Sequence, residues 1–258
     1  MMYDEICYEK PFLKEAIARI DFIAPLEGLD KALPPKLARV VSTHFQVSEP
    51  TEAIAQQLQL SGEGVSHHQA RFKQWNFFGK EREKQLTIAA PWVFVTYNRY
   101  TTFEDMKEQF AAVVEAVGKA FPDAKAGRFG LRYINLIEIS DLADPTSWGD
   151  YIAPQLLGTM AFFTQPRRLT RLIQVAELKY DDLDLRFQFG MPNPDYPATM
   201  KRPQFVLDID VYVQTAHDLG DSLQHMEQAH GLIQDLFERS VTNRLRERMN
   251  ARRVPVQD

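Results

Sequence analysis

The chain has 258 residues, of which 45% are apolar, 25% charged and 11% aromatic, the profile of a folded globular protein and not of a disordered or fibrous one. Lys and Arg number 30 against 35 Asp and Glu, so the net charge is -5 and no global basic field draws nucleic acid or anionic lipid; any such contact must be local. A single cysteine, Cys7, excludes an internal disulfide framework and a thiolate zinc cluster and fits a reducing cytoplasm, and no run approaches the ~20 apolar residues of a membrane helix.

The first ten residues carry Asp4, Glu5 and Glu9 without an apolar core, unlike a signal peptide. In residues 15–23, Ala16, Ala18, Ile20 and Phe22 alternate with Ile17, Arg19 and Asp21, which predicts a strand ended by Pro25 and Gly28. Leu33, Leu37, Val40, Val41 and Phe45 then recur at helical spacing with Pro34 and Pro35 in the first turn. A polar linker follows. Within it Gly62-Glu63-Gly64 lacks the third glycine and the lysine of a phosphate cradle and reads as a loop. Three extended runs, 69–78, 85–90 and 92–98, come next, the first two joined by Gly79-Lys80-Glu81-Arg82-Glu83 as a hairpin loop. Phe103, Met106, Phe110, Val113, Val114, Val117 and Phe121 form the stripe of a long helix, opened by Thr102 with Asp105 three residues on and stopped by Pro122.

The order of elements then starts again. Residues 127–139 alternate Phe129, Leu131, Tyr133, Ile137 and Ile139 against Arg128, Arg132 and Glu138, predicting a strand, and residues 148–157 predict a helix. Strands follow at 169–179, 183–189 and 205–213, the first two joined by a Tyr180-Asp181-Asp182 turn. Leu223, Met226, His230, Ile233 and Phe237 make the stripe of a closing helix.

These elements predict an α+β protein of two pseudo-duplicated β-α-β-β-β-α halves, 10–122 and 127–242, followed by a basic C-terminal tail at 243–258. Each half has an antiparallel sheet with one apolar face covered by its own long helix. Joined edge to edge, the halves make one continuous antiparallel sheet with the long helices on one face, an architecture similar to the saddle of TATA-binding-protein-like folds. On the other face stand Asp208, Asp210, Tyr212, Asp184, Arg186 and Gln188, either as a solvated lattice of cross-strand Arg–Asp pairs or as a recognition surface.

Chemistry is sparse. There is no Gly-x-Ser-x-Gly elbow, His67-His68 point apart, and the lone Glu-x-x-His of Glu227 and His230 falls short of a di-iron set, so no metal or cofactor is expected and His230 reads as a hydrogen-bonded core histidine. Glu177-Leu178-Lys179 could be the Glu-x-Lys half of a Mg²⁺-dependent nuclease or other phosphoryl-processing site completed by Asp208 or Asp210. Arg244, Arg246, Arg248, Arg252 and Arg253 could hold nucleic-acid phosphates or simply be solvated at a helix end, and Arg167, Arg168 and Arg171 form a smaller cluster.

Leu131-Arg132-Tyr133-Ile134-Asn135 resembles a motif of a sporadically distributed family of bacterial proteins of about this length. The resemblance extends to Lys10-Pro11-Phe12-Leu13-Lys14-Glu15-Ala16, to Tyr97-Asn98-Arg99-Tyr100 and to His230, Phe237 and Thr242. It implies a single-unit protein with no established activity and supplies no catalytic residues. At those positions Arg132 offers a donor fork to a carboxylate, and pairs with Glu15, Asp21 or Glu138, or gathers with Arg19 and Asn98 to bind a small acidic ligand. The leading expectation is a non-enzymatic binding or regulatory protein of the cytoplasm. Its open sheet face, or the junction of its halves, would meet a protein or nucleic acid, with no membrane role and homo-oligomerisation open.

Overall fold

The computed structural model describes residues 6–61 and 64–253. The described chain runs β1 (Ile6–Tyr8), β2 (Leu13–Phe22), α1 (Pro35–His44), β3 (Val47–Ser61), β4 (Gly64–Phe78), β5 (Lys84–Ala89), β6 (Trp92–Tyr97), α2 (Phe103–Ala120) and β7 (Lys125–Glu138). A 3-10 turn (Pro154–Leu157) leads into the single-turn α3 (Gly158–Ala161), then β8 (Leu172–Tyr180), β9 (Leu183–Met191), β10 (Gln204–Val213), β11 (His217–Asp218), α4 (Asp221–Ser240), α5 (Asn243–Met249) and β12 (Ala251–Arg253). The fold is α+β. Ten strands form an open antiparallel sheet in the order β3-β4-β5-β6-β2-β7-β10-β9-β8, with β11 beside β7, and β1 pairs separately with β12. From β2 the successive neighbours are β6, β5 and β4; from β7 they are β10, β9 and β8.

The chain groups into two compact units, one holding Leu131–Tyr212 with the segments up to Ala16 and from Glu227 onward, the other Ile17–Gly130 with Val213–Met226. The division falls inside β2 and β7, because each of these long strands gives one end to each unit.

In the second of these units, β2 buries Ala18, Ile20 and Phe22 while Arg19 and Asp21 stay half-exposed, as its alternation requires. Thr102 caps α2 by accepting from the Asp105 N–H at 3.1 Å, and the stripe Met106, Phe110, Val113 and Val117 is fully buried, with the Phe110 ring 6.4 Å from Phe129 of β7. The hairpin at residues 79–83 closes through Gly79 N–H to Lys84 O at 3.0 Å. One expectation fails here. Residues 47–61, read as part of a polar linker, are strand β3, paired with β4 in continuous register from Val47 with Phe78 to Ser61 with Gly64. Pro50 within it is tolerated because β3 ends the sheet and needs no ladder on its outer side. Gly62 and Glu63 lie outside the described residues.

The other unit buries Leu131, Tyr133, Asn135 and Ile137 of β7 beside Phe205, Leu207, Ile209 and Val211 of β10. The helix expected at residues 148–157 is replaced by turns. Asp144 Oδ1 accepts from Thr146 N–H (3.0 Å) and Oγ1 (2.7 Å), local bonding that competes with a helix, and Pro154 cannot continue one. That turn drives Trp148 into the core. Its indole donates to Pro145 O at 2.9 Å and its ring lies 5.4 Å from Phe205. The described part of the expected tail, residues 243–253, is folded as well. Thr242 Oγ1 caps α5 by accepting from Leu245 N–H, α5 buries Leu245 and Met249, and the strand after it pairs with β1. Trp148→Ala should lower unfolding free energy by about 3–5 kcal/mol in urea titration, more than any surface change in the same unit, because it empties a large buried site.

Candidate functional site

Strand alternation sorts β7, β10 and β9 into a buried side and a polar side, and the pairing of β8 with β9 carries Val175, Glu177 and Lys179 onto the polar one. Register then lines the polar side chains into rows across neighbouring strands. Tyr212 stands opposite Asp184 and Asp184 opposite Lys179; Asp210 opposite Arg186 and Arg186 opposite Glu177; Asp208 opposite Gln188 and Gln188 opposite Val175. Charges alternate along the rows. Lys179 Nζ reaches Asp184 Oδ1 at 2.8 Å and Arg186 Nε lies 3.9 Å from Glu177 Oε1.

From β7, Arg132 donates twice to Asp208, Nε to Oδ1 and Nη2 to Oδ2, both at 2.7 Å. The Asp208 side chain is only 5% exposed while that of Arg132 is 39% exposed, so the guanidinium roofs a carboxylate that water hardly reaches. The hydrogen bond from Arg132 to Asp208 raises the arginine pKa further above its ordinary value and holds the guanidinium charged. Asp208, and none of the expected Glu15, Asp21 or Glu138, takes this arginine because β10 is the neighbour of β7. Glu138 lies instead 3.7 Å from Lys14, and Asp21 accepts from Arg19 Nε at 2.9 Å.

The four residues of the nuclease reading share this face without forming a metal site. Glu177 and Asp210 flank Arg186 from either side, two strands apart, which is roughly 10 Å between backbones. Mg²⁺ holds its oxygens at ~2.1 Å, and here a cation already occupies the space between the carboxylates. Lys179 and Asp208 are each bound to a different partner. Among the described residues no group of three or more His, Cys, Asp or Glu side chains is placed to hold a metal.

Of the small-ligand set, Arg19 and Asn98 lie apart. Arg132 belongs to one compact unit and Arg19 and Asn98 to the other. Arg19 stacks 4.8 Å over Trp92 at the start of β6, whereas Asn98 follows its end, some six residues or roughly 20 Å along the strand. Three of the C-terminal arginines are matched to acids, two of them distant in sequence: Arg244 to Asp150 and Arg248 to Asp141, while Arg246 Nε meets Glu238 Oε2, eight residues back on α4, at 2.7 Å. Glu238 is buried and also accepts from the Tyr8 hydroxyl at 2.7 Å, and burial together with that carboxylate pushes the tyrosine pKa up. Arg252 and Arg253 lie in β12, and their side chains are outside the described residues. Of the smaller basic cluster, Arg167 donates to Asp144 at 2.6 Å and Arg171 sits 4.3 Å over the Tyr196 ring.

A feature that periodicity did not reveal lies in residues 162–196. Seven large apolar side chains are exposed among the described residues, and six of them, Phe162, Phe163, Val175, Leu178, Tyr180 and Tyr196, belong to this unit between residues 162 and 196. Phe162 is 82% exposed, set edge-on to Phe163 at 5.6 Å. Strand β8, which carries three of the six, is the terminal strand of the sheet. The sequence signal was the apolar Phe162-Phe163 pair just after a one-turn helix too short to bury it.

No protein-family model matches the chain, and no curated protein is significantly similar to it.

Two consequences are measurable. Arg132→Ala strands a buried carboxylate and should cost about 2–3 kcal/mol in denaturant unfolding, much of which the double variant Arg132→Ala with Asp208→Leu should recover. His230 on α4 is desolvated, with the Tyr133 hydroxyl 3.2 Å from Nδ1, and burial lowers its pKa from 6.5 to about 4. Its contribution is full above pH 6.5 and is lost as pH falls toward 4, because the unfolded chain takes up the proton first. Urea unfolding should therefore show up to about 3 kcal/mol of stability lost through this group across that window, a slope that His230→Gln removes.

Proposed function

We propose that this protein is a non-enzymatic binding or regulatory protein whose partner is a protein, engaged through the sheet end formed by β8 and the Phe162-Phe163 segment. The observation that carries this reading is the concentration of exposed apolar side chains in residues 162–196. Large exposed aromatics beside an uncovered strand are the composition of a protein interface, where apolar anchors supply most of the affinity and the strand offers backbone hydrogen bonds. Nucleic acid fits less well. Arg244, Arg246 and Arg248 are matched to carboxylates, and the polar rows carry Asp184, Asp208, Asp210 and Glu177 against Arg132, Arg186 and Lys179. Phosphates would meet at least as many acids as bases.

The matched polar face supports this reading: β8 through β10 keep one register, with their polar side chains paired in rows beside the apolar residues of β8. The outward orders β6-β5-β4 from β2 and β10-β9-β8 from β7 support a further part of the proposal, that one strand–helix unit was copied. The resemblance of Leu131–Asn135 to a bacterial family without established activity is compatible with this class. The single cysteine supports a cytoplasmic setting as part of the proposal.

The test is crosslinking in the native cell followed by mass spectrometry, with the isolated complex compared by hydrogen exchange. Crosslinks and amide protection should concentrate on residues 162–180, and Phe162→Asp should cut retention of the crosslinked partner roughly tenfold while leaving the melting temperature unchanged. Unchanged retention, or turnover of a nucleotide that disappears in Glu177→Ala, would overturn the reading.

A further inference from the structure

Strand β8 shows an outer edge with no neighbouring strand among the described residues, and its exposed side chains have an internal pattern. Glu177 and Lys179 stand on the polar side with Leu178 between them on the opposite side, and Glu177 and Lys179 are 72% and 71% exposed. We infer that the partner at this edge is a second copy of the chain, bound by antiparallel pairing of β8 with its counterpart about a two-fold axis through Leu178. The inference rests on the protein-binding reading above and names the occupant.

Antiparallel pairing about a two-fold axis keeps polar side continuous with polar side only when the axis passes through a residue pair, so the choices are few. An axis at Glu177 sets two glutamates face to face, and one at Lys179 sets two lysines face to face. An axis at Ala176 leaves Glu177 opposite Val175 and Lys179 opposite Ile173. At Leu178 alone among these do both charges find an opposite sign: Glu177 of each copy faces Lys179 of the other.

The existing rows then extend across the boundary. Asp184, Lys179, the second copy's Glu177, then its Arg186 and its Asp210 follow in one line, negative and positive in strict alternation, and the axis repeats that line in the opposite sense. On the other side Leu178 meets Leu178 and each Tyr180 meets Ala176, joining apolar groups that are exposed in the single chain, Leu178 at 43% and Tyr180 at 42%. Cross-strand pairs of opposite charge and matched apolar groups are the units that stabilise a ladder, while like charges directly opposite oppose it. Paired in this way, the edge no longer offers unsatisfied N–H and C=O groups to other strands.

The register fixes a geometric test in the full chain. Opposed residues of an antiparallel pair have Cα atoms about 4.5–5.5 Å apart, inside the range a disulfide spans, so Leu178→Cys in a Cys7→Ser background should oxidise to a covalent dimer. Glu177→Cys, whose two thiols would lie on either side of the axis, should not. By sedimentation the unmodified chain should be dimeric at about 100 µM, and Leu178→Asp, which sets two carboxylates on the axis, should raise the dimer dissociation constant at least about tenfold with an unchanged circular dichroism spectrum. A monomer throughout that range, or crosslinking at 177 and not at 178, overturns the inference. In that event the broader reading stands if Phe162→Asp still costs partner retention and falls if it does not.

Discussion

Register between β9 and β10 is the constraint on which the rest depends. A slip of one residue would turn Leu207, Ile209 and Val211 out of the core and bring Asp208 and Asp210 in, a cost no compensating contact could meet. With register so held, the polar side chains have no choice of neighbour. The rows from Tyr212 to Lys179 and from Asp210 to Glu177 follow from burial on the opposite side. Electrostatics on this face therefore records where the hydrophobic effect put the strands.

The two ends of the sheet are handled differently. At β3, Pro50 occupies a position that an interior strand could not accept, so that end is blunted by the chain's own chemistry. At β8 there is no proline; instead there is a short sequence whose charges oppose like charges in two of the four symmetric registers, face apolar residues in a third and match in one. An edge of that kind is selective. Glu177 and Lys179 oppose indiscriminate pairing there, as charges on an edge strand do.

Buried ionisable groups occupy the first unit's interior in matched form. Asp208 lies under Arg132, and Glu238 lies between Tyr8 and Arg246. Each joins segments far apart in the chain, Tyr8 to Glu238 across most of its length, and each would be costly to leave half made. The same logic explains why Arg244, Arg246 and Arg248 are not a free basic arm. Of their acids, Asp141 and Asp150 come from segments that only folding brings near, and Glu238 from the preceding helix.

The amino-acid sequence by itself determined what local periodicity can encode: α2 with Thr102 as its cap, the stripe of α4, the alternation of β2, β7, β9 and β10, and hence the α+β class. It was silent where the decision was non-local. Strand β3 lacks a clean alternation and contains a proline, so only its pairing with β4 makes it a strand. Trp148 sits in a segment with helical spacing that the Asp144 turn and Pro154 divert. Which carboxylate meets Arg132, whether Glu177 and Asp210 could share an ion, and which apolar residues remain uncovered were decided by tertiary structure alone, because charge interactions and burial depend on distance in space and sequence spacing carries that distance only within one element.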